Sequence, residues 1–494
     1  MVWISAPGSS RRTAVLVLAA CLIPAAATAG RLPRYGGDVR IQIAAIPTDL
    51  DPLILAGDDG EIVAACLYEG LTRWGEVEVQ PALAGGWVHD EDSHRWLFRL
   101  RADVVFHDGT RCDAQAVKES LSRLADPGQS RYAWILSDLV GWDDFAAGRT
   151  QVLSGLEAPQ PDEIELQFMR PVSDLPARLA IPAAAIVRRR GPERLGTGPF
   201  RLVSRTPEAL RLAAFREHHD GRPFLDHVDL TVRREAGMVL WSRVAEMARV
   251  PPADGFPGGA ERLRAPAQRL GLAIIQPESQ ALSSETQRRR LADSFDRALF
   301  VRAALAGDGQ GAAGLAPQAA RLIAARAGES QGDLVGQSQQ RVRIVVAASE
   351  PVLRALGERL QAHLFALGMN ADLDVLPAPA LAAALAAHSY DVVVLGWTPP
   401  QPRAAQLDAS TRVRLFLSSV AMPVLGKNVP ASWAALVSGG AKDPEATLLR
   451  GAFCIPLVFF HDTWQTTADV LDLGLGTVAA NLGLADAHLD TSAP

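Results

Sequence analysis

Ten histidines and fifty-five acidic residues could supply metal or acid–base chemistry, but their spacing supports little of it. His218 and His219 are adjacent, so in an extended segment their rings would diverge, and a solvated pair is expected there rather than a metal or haem site. His89, His94 and His107 fall within one predicted hairpin region, where a structural role is expected. The paired acids Asp49 and Asp51, and the run Asp90-Glu91-Asp92, sit in polar turns where carboxylates are normally solvated. No Gly-x-Ser-x-Gly elbow, His-Glu-x-x-His or Cys-x-x-Cys occurs. No catalytic residue, metal or cofactor is therefore expected. What the chain does offer is ligand contact. Gly396-Trp397 follows a predicted strand, where an indole can stack on a bound molecule, although a core aromatic would fit the same place. Arg403 follows in a loop and carries a planar cationic fork. Asp49 and Leu50, in the loop after the first predicted strand, complete the set expected to face a ligand.

These residues need elements to hold them. Val39, Ile41 and Ile43 alternate and then meet Pro47, which predicts a strand over 39–46 ending in a loop at 48–52. A helical stripe through Ile62, Cys66 and Leu67 predicts a helix over 61–71. Trp96, Phe98 and Leu100 alternate with Arg95, Leu97 and Arg99. The chain then reverses near Asp103, runs through 104–106 and turns at Asp108-Gly109, and Asp113 caps a helix whose face is Ala114, Val117, Leu121 and Leu124. Gly196-Thr197-Gly198-Pro199-Phe200 opens a strand pair, and the Pro/Gly-rich stretch 251–264 reads as a loop at a lobe boundary. The second half changes style. A strand over 341–346, a helix from Pro351 to Gly368 with Leu353, Leu356, Leu360 and Leu364, a strand over 371–376, an Ala-rich helix to Ala387 and a strand over 390–395 predict a parallel sheet covered by helices. Ligands meet such sheets beyond the carboxyl ends of the strands.

The 494 residues are enough for roughly three folding units, and 48% hydrophobic content against 21% charged gives a large core and argues against disorder. A net charge of −6 without a long basic run excludes a nucleic-acid partner. Arg11 and Arg12 precede an apolar stretch over 14–23, then Ala27-Thr28-Ala29, a pattern that predicts an export signal cleaved after Ala29. Leu18-Ala19-Ala20-Cys21 also resembles a lipobox, so a mature form lipid-anchored at Cys21 is the alternative, and an uncleaved anchor the third. The expected compartment is the periplasm. Cys66, Cys112 and Cys454 then remain. The odd number excludes full pairing, and buried free thiols are expected, with a Cys66–Cys112 disulfide as the alternative.

Four ordered motifs carry a resemblance across nearly the whole mature chain. The first is Tyr68-Glu69-Gly70-Leu71, followed by Pro81-Ala82-Leu83-Ala84 and Trp87. The second is Trp96 to Arg101 with Phe106-His107-Asp108-Gly109, Val117, Ser120 and Arg123. The third is Gly196 to Phe200, trailed by Gly221-Arg222-Pro223-Phe224-Leu225. The fourth is Arg288-Arg289-Arg290-Leu291 with Phe295-Asp296-Arg297, Tyr390-Asp391 and Gly396-Trp397. Their order and spacing resemble the extracellular solute-binding proteins of family 5, the dipeptide/oligopeptide-binding type. The resemblance implies an α/β fold of two lobes joined by crossing strands, with a small domain inserted in the first lobe. It also implies a monomeric receptor that carries a small or peptide-like ligand to the permease subunits of an ABC transporter. The domain division that follows is a leader over 1–29, lobe I over 30–75 and 191–272, the insertion over 76–190, lobe II over 273–465 and a return to lobe I over 466–494. Peptide-binding members place an aspartate soon after the Gly-Trp pair to hold the peptide's amino group. Here Thr398-Pro399-Pro400-Gln401-Pro402-Arg403 has no carboxylate, and His218-His219 replaces an aromatic pair. Divergence in ligand or task is expected, and a binding module acting as sensor or accessory subunit without transport is the alternative.

Overall fold

Alternation in the sequence becomes alternation of burial. In the strand Asp38–Ile43, Val39, Ile41 and Ile43 face the core and their neighbours do not. The computed structural model describes residues 34–55, 57–75, 78–90, 92, 94–232, 245–250, 260–317, 341–398, 407–437, 439–467, 470–471, 484 and 486–489. The expected export signal with Cys21, and Arg403, lie outside these residues.

One long sheet runs through the molecule. Its order is Phe200–Arg205, Ala209–Ala214, His227–Val232, Asp38–Ile43, Ala245–Val250, Cys454–Thr467, Ala260–Ile275, Val392–Trp397, Val342–Ala347 and Ala371–Leu376, with Gly309–Gly311 added on Cys454–Thr467. At one end, Asp38–Ile43 lies parallel to both of its neighbours. Helix Gly57–Leu67 packs on this part, and Ile62, Val63, Phe200, Leu212 and Leu230 share its core. At the other end the parallel trio Val392–Trp397, Val342–Ala347 and Ala371–Leu376 matches the expected strand–helix–strand pattern. Helix Pro351–Ala366 covers it with Leu353, Leu356, Leu360 and Leu364. Burying each such leucine is worth about 1.5–3 kcal/mol relative to exposure. Gly368, at φ +77°, ends that helix with a backbone turn that side-chain-bearing residues avoid. The two ends are joined by the long antiparallel strands Ala260–Ile275 and Cys454–Thr467.

A separate antiparallel sheet, Ala84–His89, Arg95–Leu100, Glu163–Gln167 and Leu156–Gln160 in that order, sits between lobe I segments of the chain. Helix Ala114–Ala125 packs against it, capped by Asp113, whose side chain accepts from the amide of Ala116. Three expectations shift. Residues 104–106 form no strand with Arg95–Leu100; only an isolated bridge, Val105 to Arg111, closes the Asp108-Gly109 turn, because Arg95–Leu100 already pairs on both sides. The stretch from Ala260 is strand rather than loop, since its partner Cys454–Thr467 takes up its backbone groups, with a register shift between Arg264 and Gln268, around Pro266. Val392–Trp397 is an inner strand, antiparallel to Ala260–Ile275 on its second side. All three cysteines outside the expected export signal are free and buried, and burial pushes the thiols of Cys66 and Cys112 up to about 12, so neither is a nucleophile at neutral pH.

Candidate ligand cleft

A partly enclosed cavity of about 30 Å³ lies between residues of the first 190 positions and residues 397–419. The first 190 positions contribute Leu55, Gly57 and Glu61 at the start of helix Gly57–Leu67, Trp74, Tyr132 and Ile181 to Ala183. Trp397 is the last residue of the strand Val392–Trp397, two residues beyond the expected strand over 390–395, and lines the cavity with the following Thr398 and with Leu415 and Ser419 from the helical segment farther on. The walls are mostly apolar. Two of their polar atoms, Trp74 Nε1 and Thr398 Oγ1, are buried without a hydrogen-bond partner among the described residues. Buried polar atoms are normally satisfied, so unpaired ones in a cavity wall mark places where a guest can bond. As it stands, the cavity has room for about one water.

Polar contacts join the helical segment after residue 407 to residues 131–174 near the cavity. Helix Ala409–Phe416 passes into a π-helical turn, Leu417–Ala421, and then into Met422–Leu425. A π turn inserts one residue and rotates the side chains that follow it. Ser418 accepts from Trp134 Nε1 at 2.8 Å and donates to the carbonyl of Arg131 at 3.0 Å. Thr411 donates to Asp174 Oδ2 at 2.7 Å, and the Arg414 guanidinium lies over the Trp134 ring. Burial pulls Arg414 below the usual guanidinium range.

The expected ligand residues separate. Trp397 reaches the cavity wall but is only 4% exposed and packs edge-on against Phe416 at 5.2 Å, so it serves core and cavity together. Gly396 does not line the cavity. A Cβ there would meet Arg269 Nε at 2.3 Å, and Arg269 pairs with Glu350 at 2.9 Å, so the glycine makes room for that guanidinium. Leu50 is a lobe I core residue. Asp49 lines a second, open depression of about 260 Å³ with Ala44, Pro47, Asp59 and Gly60, and accepts from the amide of Asp51 at 2.9 Å. Arg403 is outside the described residues. Trp74, Tyr132 and Ser419 were not singled out by the sequence, whereas Thr398 opens the loop expected to line the cleft after Trp397. Nothing in the sequence announces a π turn at Ser419.

The motif residues of lobe I gather elsewhere, around the end of helix Gly57–Leu67. Cβ atoms on Gly196 and Gly198 would lie 1.8 Å from the Leu67 carbonyl oxygen and 2.5 Å from its carbonyl carbon, so only glycine permits this approach. His107 bonds the Gly198 carbonyl through Nε2 at 3.0 Å, and burial lowers its pKa to about 4 despite that contact. Asp51 is almost fully buried and pairs with Arg123 and, at 3.1 Å, with Arg194. His218 and His219 are neither exposed nor in a strand. They occupy a turn, with ring centroids 4.6 Å apart, and both Nε2 atoms face Glu69. The turn removes the two-residue alternation that would have pointed the rings apart. Burial alone would raise the Glu69 carboxyl, but hydrogen bonds and charge from the two histidines hold it at about 2.

Residues 78–408, about two thirds of the chain, match the model of the bacterial extracellular solute-binding proteins, family 5. The chain belongs to this family. A relative from Escherichia coli, named a probable D,D-dipeptide-binding periplasmic protein, is 22% identical over 400 residues, covering 72% of this solute-binding protein and 73% of its own length. Among solved structures, a periplasmic oligopeptide-binding protein of Borrelia burgdorferi superposes with a TM-score of 0.74 at 16% identity, over 92% of this chain and all of its own. The murein tripeptide binding protein of E. coli gives 0.72 at 18%, over 92% and 98%. These neighbours establish the two-lobed fold.

Proposed function

We propose that this solute-binding protein captures a compact, partly apolar solute between its lobes and hands it to the permease of an ABC importer in the periplasm. It does so by binding rather than turnover and as a monomer, processed after Ala29 or anchored at Cys21. The reading is carried by the interlobe cavity with Trp74 Nε1 and Thr398 Oγ1 unpaired in its wall. The indole N–H calls for an acceptor on the ligand, the Thr398 hydroxyl can meet either kind of group, and Glu61 supplies the carboxylate among the lining residues. Trp397, Asp49 and the Arg403 loop remain the proposed approaches to the site. The relatives' names point to peptides, but 398–403 lacks a carboxylate for an amino terminus. Simple peptides with free amino termini should therefore bind weakly or not at all. Calorimetry with di-, tri- and pentapeptides beside a panel of small polar solutes tests this. Micromolar peptide binding that disappears on N-acetylation refutes the ligand class. A small-solute hit should lose about tenfold or more affinity in Thr398→Val if the hydroxyl is a ligand contact.

The lobe-to-lobe hydrogen bonds of Ser418 and Thr411 favour a second reading, a sensor or accessory module that rests closed. Genes for an ABC permease and ATPase beside this one support transport, and their absence supports the sensor.

A further inference from the structure

Glu69, His218 and His219 bring three donor atoms within 4.8 Å of one another, in a place that lines neither the interlobe cavity nor the open depression. His218 Nε2 lies 3.2 Å from Glu69 Oε1, and His219 Nε2 lies 3.1 Å from each Glu69 oxygen. Ligands about 2.0–2.1 Å from a tetrahedral zinc ion stand roughly 3.3 Å apart, so these spacings suit one small cation. The far side of each ring strengthens the case. His218 Nδ1 faces the Gly221 carbonyl at 3.3 Å. His219 Nδ1 lies 3.2 Å from Asp220 Oδ1, close but outside hydrogen-bond alignment. His218 thus has an acceptor at both ends, while a neutral imidazole carries a single proton, and His219 Nδ1 is buried beside Asp220 without a hydrogen bond. Once the Nε2 protons leave, both lone pairs and the Glu69 carboxylate face one point, where a metal cation can take the place of the protons. Histidine ligands in metal sites are oriented in this way, the second nitrogen held by a carbonyl or carboxylate. Asp220 is itself held by Arg73 at 2.7 Å.

We infer that Glu69, His218 and His219 form a binding site for one divalent transition metal ion of the zinc class. Two imidazoles and a carboxylate favour zinc, nickel or copper over magnesium or calcium. The ion ties the turn after strand Ala209–Ala214 to the end of helix Gly57–Leu67, segments about 150 residues apart in sequence, and leaves a fourth position to water. Its role is to clip lobe I together, away from the solute.

Tag-free mature protein, stripped with EDTA and titrated with Zn²⁺, tests the site. One equivalent should bind, Mg²⁺ should not compete, and the melting temperature should rise with Zn²⁺. Glu69→Gln and His219→Asn should each weaken Zn²⁺ binding at least about 100-fold, above the range for changes beyond the ligands themselves. Absence of Zn²⁺ binding by the wild type overturns the inference, as does full affinity in both variants. If the variants do not fold, zinc-edge absorption of the wild-type complex still decides: an imidazole shell is expected, and its absence overturns the site.

Discussion

The end of helix Gly57–Leu67 and the interlobe cavity lie in one molecule and are built on opposite plans. Around the helix end, polar groups answer one another: Asp51 with Arg123 and Arg194, His107 with Gly198, Glu69 with His218 and His219. Backbones there approach so closely that two glycines are obligatory. The cavity instead has smooth apolar walls and two unpaired polar atoms. The first region is pinned by ion pairs and close backbone contact, although Tyr68 Oη, Thr197 Oγ1 and His219 Nδ1 are buried there without hydrogen-bond partners among the described residues. The second has unpaired polar atoms facing open space. Most family-motif residues of the first half serve packing, while Trp397 of the fourth motif reaches the cavity wall.

Substitutions should divide along the same line. The largest effect is expected for Asp51→Ala, which leaves two mostly buried guanidinium groups without their carboxylate. Breaking a buried pair from one side costs about 3–5 kcal/mol. Urea unfolding should show the midpoint falling at constant slope. A loss below about 1 kcal/mol would place the pair among weak surface bridges and erase the contrast with the cavity. Gly196→Ala comes next. Its methyl would overlap the Leu67 carbonyl oxygen, a backbone atom with little freedom to move, and overpacking of this kind costs about 1–3 kcal/mol. A variant as stable as wild type would show that the approach is loose.

Legibility followed local pattern rather than region: Asp51, expected to be solvated in a polar turn, is buried between Arg123 and Arg194. Asp113 as N-cap, the Trp96-Phe98-Leu100 alternation, the leucine stripe after Pro351 and the glycines at 196 and 198 are local patterns, and local patterns survive in a sequence. Arg288 and Arg297 were visible as motif residues, and the structure gives them backbone carbonyls to hold, Gly451 and Leu282 for the first, Ala312 and Pro456 for the second. The cavity was legible only at Trp397 and the loop that Thr398 opens. Trp74, Tyr132 and Ser419 come from three separate segments, and no spacing rule joins them. The histidine pair misled for a related reason: one turn in place of a strand reverses where adjacent rings point.

The smallest effect tests how the lobes rest. Trp134→Phe keeps the ring's packing and removes the N–H that Ser418 accepts. One such bond is worth about 0.5–1.5 kcal/mol net. If the bond bridges lobes that separate and rejoin, the loss falls on the closed form, and the open population rises by up to about tenfold. Scattering from the solute-free protein should then show a larger radius of gyration, and amides of Ala409–Phe416 should exchange faster, while urea unfolding changes little. Thr411→Val, which removes the bond to Asp174, should act in the same direction. Unchanged dimensions in both variants, with the loss appearing in global stability, would mean that these contacts belong to a fixed core. The cavity would then be a packing flaw, and the distinction between a pinned lobe and a waiting cleft would fall.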